Sequence, residues 1–361
     1  MDRDAHRYGP KHHSNENRRY PSLVPSPGTP GEGAGNSIAI TLTLAMLCFT
    51  EGSTHPFFVL LLIFFPLIPT QNPGILSAMK YGINLLLWGA NIGEDHYKLL
   101  DQIKAWGFDG VEIPTFGPDE PRYKKLGAKL KDIGLQCTTC IIVQKDTNPL
   151  DPSPAVRQAS VDFLKQMIDH NHLVGSTMLM GPFSSPVGLL CGRGRTDDEW
   201  KRAVEVFQKV APYAQQAGVP MALEYLNRFE HYFINDTVSA AKFIDEVNHP
   251  SFRLHYDTFH SNIEEKNIAE SVRAGGKRIA HVHISENDRS TPGEGHVHWD
   301  ESFQTLAEIK YDGWLMIEAF GTALPEIAGA TCIWRKMFPN EEYLATKGLA
   351  FMKKNVAKYW K

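Results

Sequence analysis

Four side chains in this sequence combine the types and the spacing that a metal-assisted reaction needs. Glu224 closes the run MALE, Asp257 closes RLHYD, His283 sits in AHVHI, and Glu318 closes LMIE. Each stands at or near the end of a short apolar, β-rich run, and the intervals between them are 33, 26 and 35 residues. One strand, one helix and their loops take about 30 residues of chain, so four successive strands would aim one group each at a common point. Three carboxylates and one imidazole make a mostly hard-oxygen donor set. Such a set suits Mn²⁺, Mg²⁺ or Co²⁺ better than a thiolate-preferring metal, and it leaves positions open for substrate oxygens. A single acidic residue at a strand end is more often a helix cap or a solvated terminus; four in step on adjacent strands resist that explanation.

A second ring follows the first. Glu230 lies six residues past Glu224, His260 three past Asp257, and Arg289 six past His283. These positions fall in the loops after the same strands, within reach of anything bound at the metal. Trp88 and Phe320 are candidate apolar walls, and Cys140 stands near a strand end where it would line the same pocket. The segment 181–195, GPFSSPVGLLCGRGR, is long for a strand-to-helix loop and is expected to cover the mouth of the site.

The elements that must position these groups alternate. Strands are predicted over 80–86, 110–113, 136–143, 177–180, 220–225, 252–256, 279–284 and 314–318. Helices are predicted over 97–106, 122–133, 154–171, 197–217, 238–247, 268–274, 303–309 and 341–354. Thr196 with Glu199 has capping-box spacing, Ser153-Pro154 offers a cap followed by proline at the first helical position, and Gly218 before Pro220 stops a helix. Eight strands alternating with eight helices predict an α/β fold, a (β/α)8 TIM barrel with chemistry at the carboxyl ends of its strands. A doubly wound sheet would want a glycine fingerprint after the first strand, and NLLLWGANIG supplies none.

Bulk properties narrow the classes. The chain has 361 residues, 42% hydrophobic and 22% charged, with a net charge of −4. That length allows two domains or one barrel with an appendage. With no dense Lys/Arg block, nucleic acid is not an expected partner. Five cysteines are too few for a disulfide scaffold. Cys137-x-x-Cys140 has redox spacing but falls inside a predicted strand, away from the helix start that lowers a thiol pKa. Asn235-Asp-Thr237 is a glycosylation sequon only if the chain is exported. No Gly-x-Ser-x-Gly or phosphate-loop motif is present.

Residues 1–78 differ from the rest. They carry five basic and five acidic side chains, so the whole net charge belongs to 79–361. Residues 1–37 have a disordered composition. The apolar runs 38–49 and 56–69 fall short of the roughly 18–20 residues a bilayer span takes, and Pro66 interrupts the second. We expect an N-terminal extension that is disordered or outside the native enzyme, a barrel domain over 79–361 opening at Met79, no membrane association and a cytoplasmic location. Export or anchoring through 1–78 is the alternative.

From Met79 onward the sequence resembles the ketose 3-epimerases of the xylose-isomerase-like barrels, the group of D-tagatose 3-epimerase and D-psicose (allulose) 3-epimerase. The stretches that carry the resemblance are LEYLNRFE, HYDTFHSNIEE, HVHISENDRSTPGEGHVHW, and YDGWLMIEAFG with the following LPEIAGATCIWR. It implies that Glu224, Asp257, His283 and Glu318 hold a divalent metal, usually Mn²⁺; because epimerising C3 needs a base on each face, Glu224 and Glu318, from nonadjacent strands, are the expected acid/base pair. It implies that Glu230, His260 and Arg289 contact the sugar near its carbonyl end. The implied reaction interconverts C3 epimers of free ketoses, such as D-fructose/D-psicose, D-tagatose/D-sorbose or L-ribulose/L-xylulose, through a metal-stabilised cis-enediolate. A homo-oligomer, dimer or tetramer, is also implied. Other enzymes of the same barrel group (hydroxypyruvate isomerase, aldose–ketose isomerase, inosose dehydratase) remain alternatives. A DNA-repair endonuclease would want more histidines and a basic groove, and a sugar-binding protein without catalysis would leave the C3 proton in place.

Overall fold

Short apolar runs punctuated by capped helices fold here as sequence alternation predicts. The computed structural model describes residues 79–361. The expectations placed on 1–78 lie outside the described residues. Eight strands appear: β1 (Lys80–Asn84), β2 (Gly110–Pro114), β3 (Gln136–Cys140), β4 (Leu179–Gly181), β5 (Met221–Glu224), β6 (Phe252–Asp257), β7 (Ile279–Ile284) and β8 (Trp314–Ile317). Each pairs in parallel with the next, and β8 pairs with β1, closing the barrel in sequence order. The surrounding helices are α1 (Tyr97–Trp106), α2 (Glu120–Ile133), α3 (Pro154–Val174), α4 (Asp197–Ala217), α5 (Thr237–Val247), α6 (Thr258–Glu264), α7 (Ile268–Gly275), α8 (Trp299–Glu308), α9 (Pro325–Ala330) and α10 (Glu341–Tyr359).

The eight expected strands and eight expected helices are all present. Two short helices, α6 and α9, are additions, and both sit in loops at the carboxyl ends of strands. Strand β1 ends earlier than predicted because the Asn84 side chain accepts the Leu86 N–H at 2.8 Å and starts a 3-10 turn over Leu85–Leu87. The Thr196/Glu199 capping box forms: Thr196 Oγ1 accepts the Glu199 N–H at 3.2 Å, and the Glu199 carboxylate accepts the Thr196 N–H at 2.7 Å. Ser153 occupies the cap position of α3, but its hydroxyl makes no capping bond.

Alternation along each strand sorts the side chains into two layers. Ile83, Val111, Ile113, Leu223, Leu254, Tyr256, Val282 and Ile317 face the helices and are buried in the main core. Phe183, Phe207, Phe243 and Phe252 pack there beside α4 and α5, with Phe207 stacked on Phe252 at 4.9 Å between ring centres. The alternate set points into the barrel. It is apolar on β4 and β5, where Met180 and Ala222 meet Cys140. Toward β2, β6 and β7 it turns polar: Asn84, Glu112, Thr138, His255, Asp257, His281 and His283 are all buried.

Gly181, the last residue of β4, has φ +138, and a Cβ there would run into the Ile141 carbonyl oxygen. Gly181→Ala is therefore expected to cost about 2–4 kcal/mol, read as a lower denaturant midpoint at unchanged slope. Among the described residues no helix is long and apolar enough to cross a membrane. Cys137 and Cys140 lie within β3, buried and unbridged, and burial pushes the Cys137 thiol up to about 12. Both stay protonated structural thiols rather than a redox pair.

Candidate active site

The carboxyl ends of β5 to β8 converge as their spacing predicts. Strand register puts Glu224 opposite His255, and Asp257 opposite His283. Asp257 caps α6: its Oδ1 accepts the Phe259 N–H at 2.6 Å, which fixes the carboxylate and leaves Oδ2 without a hydrogen-bond partner. His283 Nε2 donates to Glu112 Oε1 at 2.9 Å, so its Nδ1 edge faces the strand ends. There Nδ1 lies 3.3 Å from Asp257 Oδ2 and 3.4 Å from Glu318 Oε1.

Electrostatics follow from burial among like charges. Burial, reinforced by Glu318 and Asp257, pushes the Glu224 carboxyl well above its ordinary value against the pull of His283 and Arg289. Burial opposes a charge on His283, yet Glu112, Glu318 and Asp257 outweigh it and hold the imidazole well above its usual value. Burial, with Arg289 and His283 adding to it, keeps His260 well below its usual value and neutral. The pocket favours positive charge. Buried Asp257 Oδ2 and His283 Nδ1 have no hydrogen-bond partners, and Glu224 and Glu318 stand beside them. These residues fit a divalent cation, and one ligand atom each from Glu224, His255, Asp257 and His283 falls within a sphere of mutual distances no greater than 4.8 Å.

The second ring is also assembled. Arg289, buried and in a left-handed backbone conformation (φ 57), reaches Glu230 Oε1 at 3.1 Å and His260 Nε2 at 3.3 Å. Its guanidinium lies 4.0 Å from the centre of the Phe259 ring and 5.2 Å from that of Phe320. The Asn227 N–H donates to His260 Nδ1 at 3.0 Å, which places the His260 ring proton on Nε2, 3.6 Å from Glu224 Oε1.

Glu224, Glu230, His260, His283, Arg289, Glu318, Cys140 and Phe320 all line one cavity of about 530 Å³. Asp257 lies beneath it, fully buried. Trp88 is not brought to the cavity. The 3-10 turn after β1 presents Leu86 to the mouth and turns Trp88 toward Trp106 of α1, 6.5 Å away. The loop between β4 and α4 contributes Pro182, Val187 and Gly188 to the wall. It is anchored by the Gly188 N–H on the Glu230 carbonyl at 2.8 Å and by Arg193 on Glu199 at 2.8 Å.

Sequence reading missed the layer below. Glu112 on β2 accepts hydrogen bonds from His283, from the Asn84 amide at 2.7 Å and from the Thr138 hydroxyl at 3.0 Å; His281 Nε2 also lies 2.9 Å away. Burial raises this carboxyl, but His283 and His281 overcome it and keep Glu112 ionised. A signal was present: Glu112 interrupts the apolar run GVEIP, and His255 and His281 each stand two residues before a predicted ligand, on the same strand face.

A closed parallel barrel with carboxylate and imidazole side chains gathered at the carboxyl ends of its strands, beside a small-molecule cavity, defines the site of a TIM-barrel enzyme able to hold a divalent cation. Residues 100–355 match the family described as xylose isomerase-like TIM barrel. Over 276 residues the chain is 31% identical to a protein of Synechocystis sp. named "Probable ketose 3-epimerase", covering 76% of this chain and 96% of that one. It is 30% identical over 271 residues to a D-psicose 3-epimerase of Enterocloster bolteae, covering 73% and 90%. The crystal structure of a Methylomonas sp. D-allulose 3-epimerase in complex with D-allulose superposes with a TM-score of 0.72 at 28% identity, over 77% of this chain and 98% of that one. This chain belongs to the xylose isomerase-like TIM barrel family and, within it, to the ketose 3-epimerases, enzymes of the isomerase class.

Proposed function

We propose that the chain is a metal-dependent ketose 3-epimerase acting on free ketoses, with D-fructose/D-psicose, D-tagatose/D-sorbose and L-ribulose/L-xylulose as candidate pairs. The observation that carries this reading is the placement of Glu224 at the end of β5 and Glu318 just past the end of β8, lining one cavity from separate arcs of the barrel with His283 between them. Epimerisation at C3 removes a proton α to the C2 carbonyl and returns one to the opposite face, so it needs a base on each side. Glu224 and Glu318 take those places: one accepts the C3 proton while the other, protonated, delivers one, and the roles exchange with substrate configuration.

A divalent cation held by Glu224, Asp257, His283 and Glu318, with Mn²⁺ expected first and Co²⁺ or Mg²⁺ as alternatives, supplies Lewis-acid stabilisation of the negative charge that develops at O2. Arg289 and the His260 Nε2–H hold O1 and O2 of the sugar, and Glu230 accepts from a hydroxyl. Phe320 and Cys140 exclude water from one wall. In this reading the activity belongs to residues 79–361 of a cytoplasmic homo-oligomer, and residues 1–78 are accessory.

The test is incubation of the protein with a ketose panel in D₂O, metal-loaded and after chelation. Deuterium at C3 together with the epimer, lost on chelation and restored by Mn²⁺, is the expected result. Deuterium at C1 with an aldose product makes the protein an isomerase instead, and undiminished turnover in metal-free protein ends the metal reading.

A further inference from the structure

Glu224 and Glu318 have a neighbour that the four-ligand set leaves out. His255 sits one inward position below Asp257 on β6 and in register with Glu224 on β5. Its side chain is wholly buried, and both ring nitrogens lack a hydrogen-bond partner. A buried imidazole normally satisfies its N–H and its lone pair, and leaving both unmet costs about 1–3 kcal/mol per group. His281 beside it is held near Glu112, but His255 has no such carboxylate at hydrogen-bonding distance; its Nδ1 lies 3.8 Å from Glu224 Oε2.

That separation has a meaning around a cation. Donor atoms on a six-coordinate ion with bonds of about 2.1 Å stand about 3.0 Å apart when adjacent and about 4.2 Å apart when opposite. The four-residue group with mutually close ligand atoms contains His255 alongside Glu224, Asp257 and His283. At 3.8 Å from Glu224 Oε2, between the adjacent and opposite separations, His255 offers an unused lone pair within the span of one coordination shell.

We propose that His255 is a further ligand of the metal centre, giving it two imidazole nitrogens, and that it shifts preference away from Mn²⁺ toward Co²⁺ and the later divalent ions. The inference rests on the metal centre of the proposed function and deepens it. A second imidazole raises affinity for Co²⁺, Ni²⁺ and Zn²⁺ more than for Mn²⁺, because the later ions gain more from nitrogen donors. The oxygen-rich set read from strand ends alone favours Mn²⁺; the residue one layer down changes the balance.

Pulsed electron paramagnetic resonance on the full-length protein, stripped and reloaded with Mn²⁺, counts coordinated ¹⁴N nuclei without recourse to activity. Two imidazole nitrogens are expected in the wild type and one in His255→Leu. In competition between Co²⁺ and Mn²⁺, the same substitution is expected to lower the Co²⁺/Mn²⁺ affinity ratio roughly tenfold. One nitrogen in the wild type, two nitrogens persisting in His255→Leu, or an unchanged ratio each overturns the proposal. If the variant does not fold, the wild-type count alone decides. A single nitrogen with intact Mn²⁺ binding defeats only the role of His255, whereas no Mn²⁺ binding at all removes the metal centre as well.

Discussion

Glu224→Gln and Glu318→Gln are each expected to lower net epimerisation by roughly 10²–10⁴-fold while leaving the circular dichroism spectrum unchanged. Glutamine keeps the shape and one neutral oxygen donor but can neither accept nor deliver the C3 proton. The two variants should also differ from each other in an informative way. With one base removed, the epimer whose C3 hydrogen faces the surviving carboxylate still exchanges that hydrogen with solvent, although its configuration cannot invert. The other epimer exchanges nothing. In D₂O each variant should therefore label one epimer at C3 without producing the other, and the labelled epimer should switch between the two variants. Metal content measured on the same samples separates loss of the base from loss of the ion. Near-normal turnover in either variant removes the two-carboxylate mechanism, and identical labelling patterns remove the assignment of one carboxylate to each face.

The second large effect is expected at a residue that touches no substrate. Glu112→Gln should weaken metal binding about 10- to 100-fold, and saturating metal should restore most of the turnover. The cause lies in how His283 is held. Glu112 accepts the Nε2–H of His283 at 2.9 Å, which fixes the ring and directs Nδ1 toward Asp257 and Glu318. The carboxylate is itself pinned by Asn84 and Thr138. An amide in its place would point an NH₂ group at one of these donors, leaving a buried donor unmet and the imidazole free to turn. Metal affinity measured by titration, with turnover followed against metal concentration, reads this directly. Unchanged affinity would mean that His283 is oriented by packing alone.

Much of this molecule was legible in its sequence because two periodicities dominate it. Helix α4 begins at its Thr196/Glu199 capping box, α1 and α4 end at Gly107 and Gly218, and β5 to β8 are marked by the recurrence of one polar residue at each strand end. The loops were less legible. Helices α6 and α9 are too short for a hydrophobic period to show, and the turn of Trp88 away from the mouth depends on one side-chain bond made by Asn84. The inner layer was hidden for a different reason. Glu112, His255 and His281 read as ordinary strand residues until barrel closure brings β2 across from β7. The charge that interrupts GVEIP marks Glu112 as unusual, but nothing local names the two histidines some 170 positions along the chain that it meets.

Glu230 is the residue on which two parts of the cavity wall meet. Its carbonyl accepts the Gly188 N–H of the long β4 loop, and its carboxylate pairs with Arg289 at the cavity wall. If, as proposed, a sugar hydroxyl engages that carboxylate, it is expected also to stiffen the stretch of backbone on which the loop rests. By thermodynamic reciprocity, whatever factor the bound sugar contributes to ordering the loop, an ordered loop returns to sugar affinity. On the proposed function, substitutions far out on the exposed loop are expected to alter ketose preference without touching the sugar, because they change the cost of ordering the loop rather than the fit.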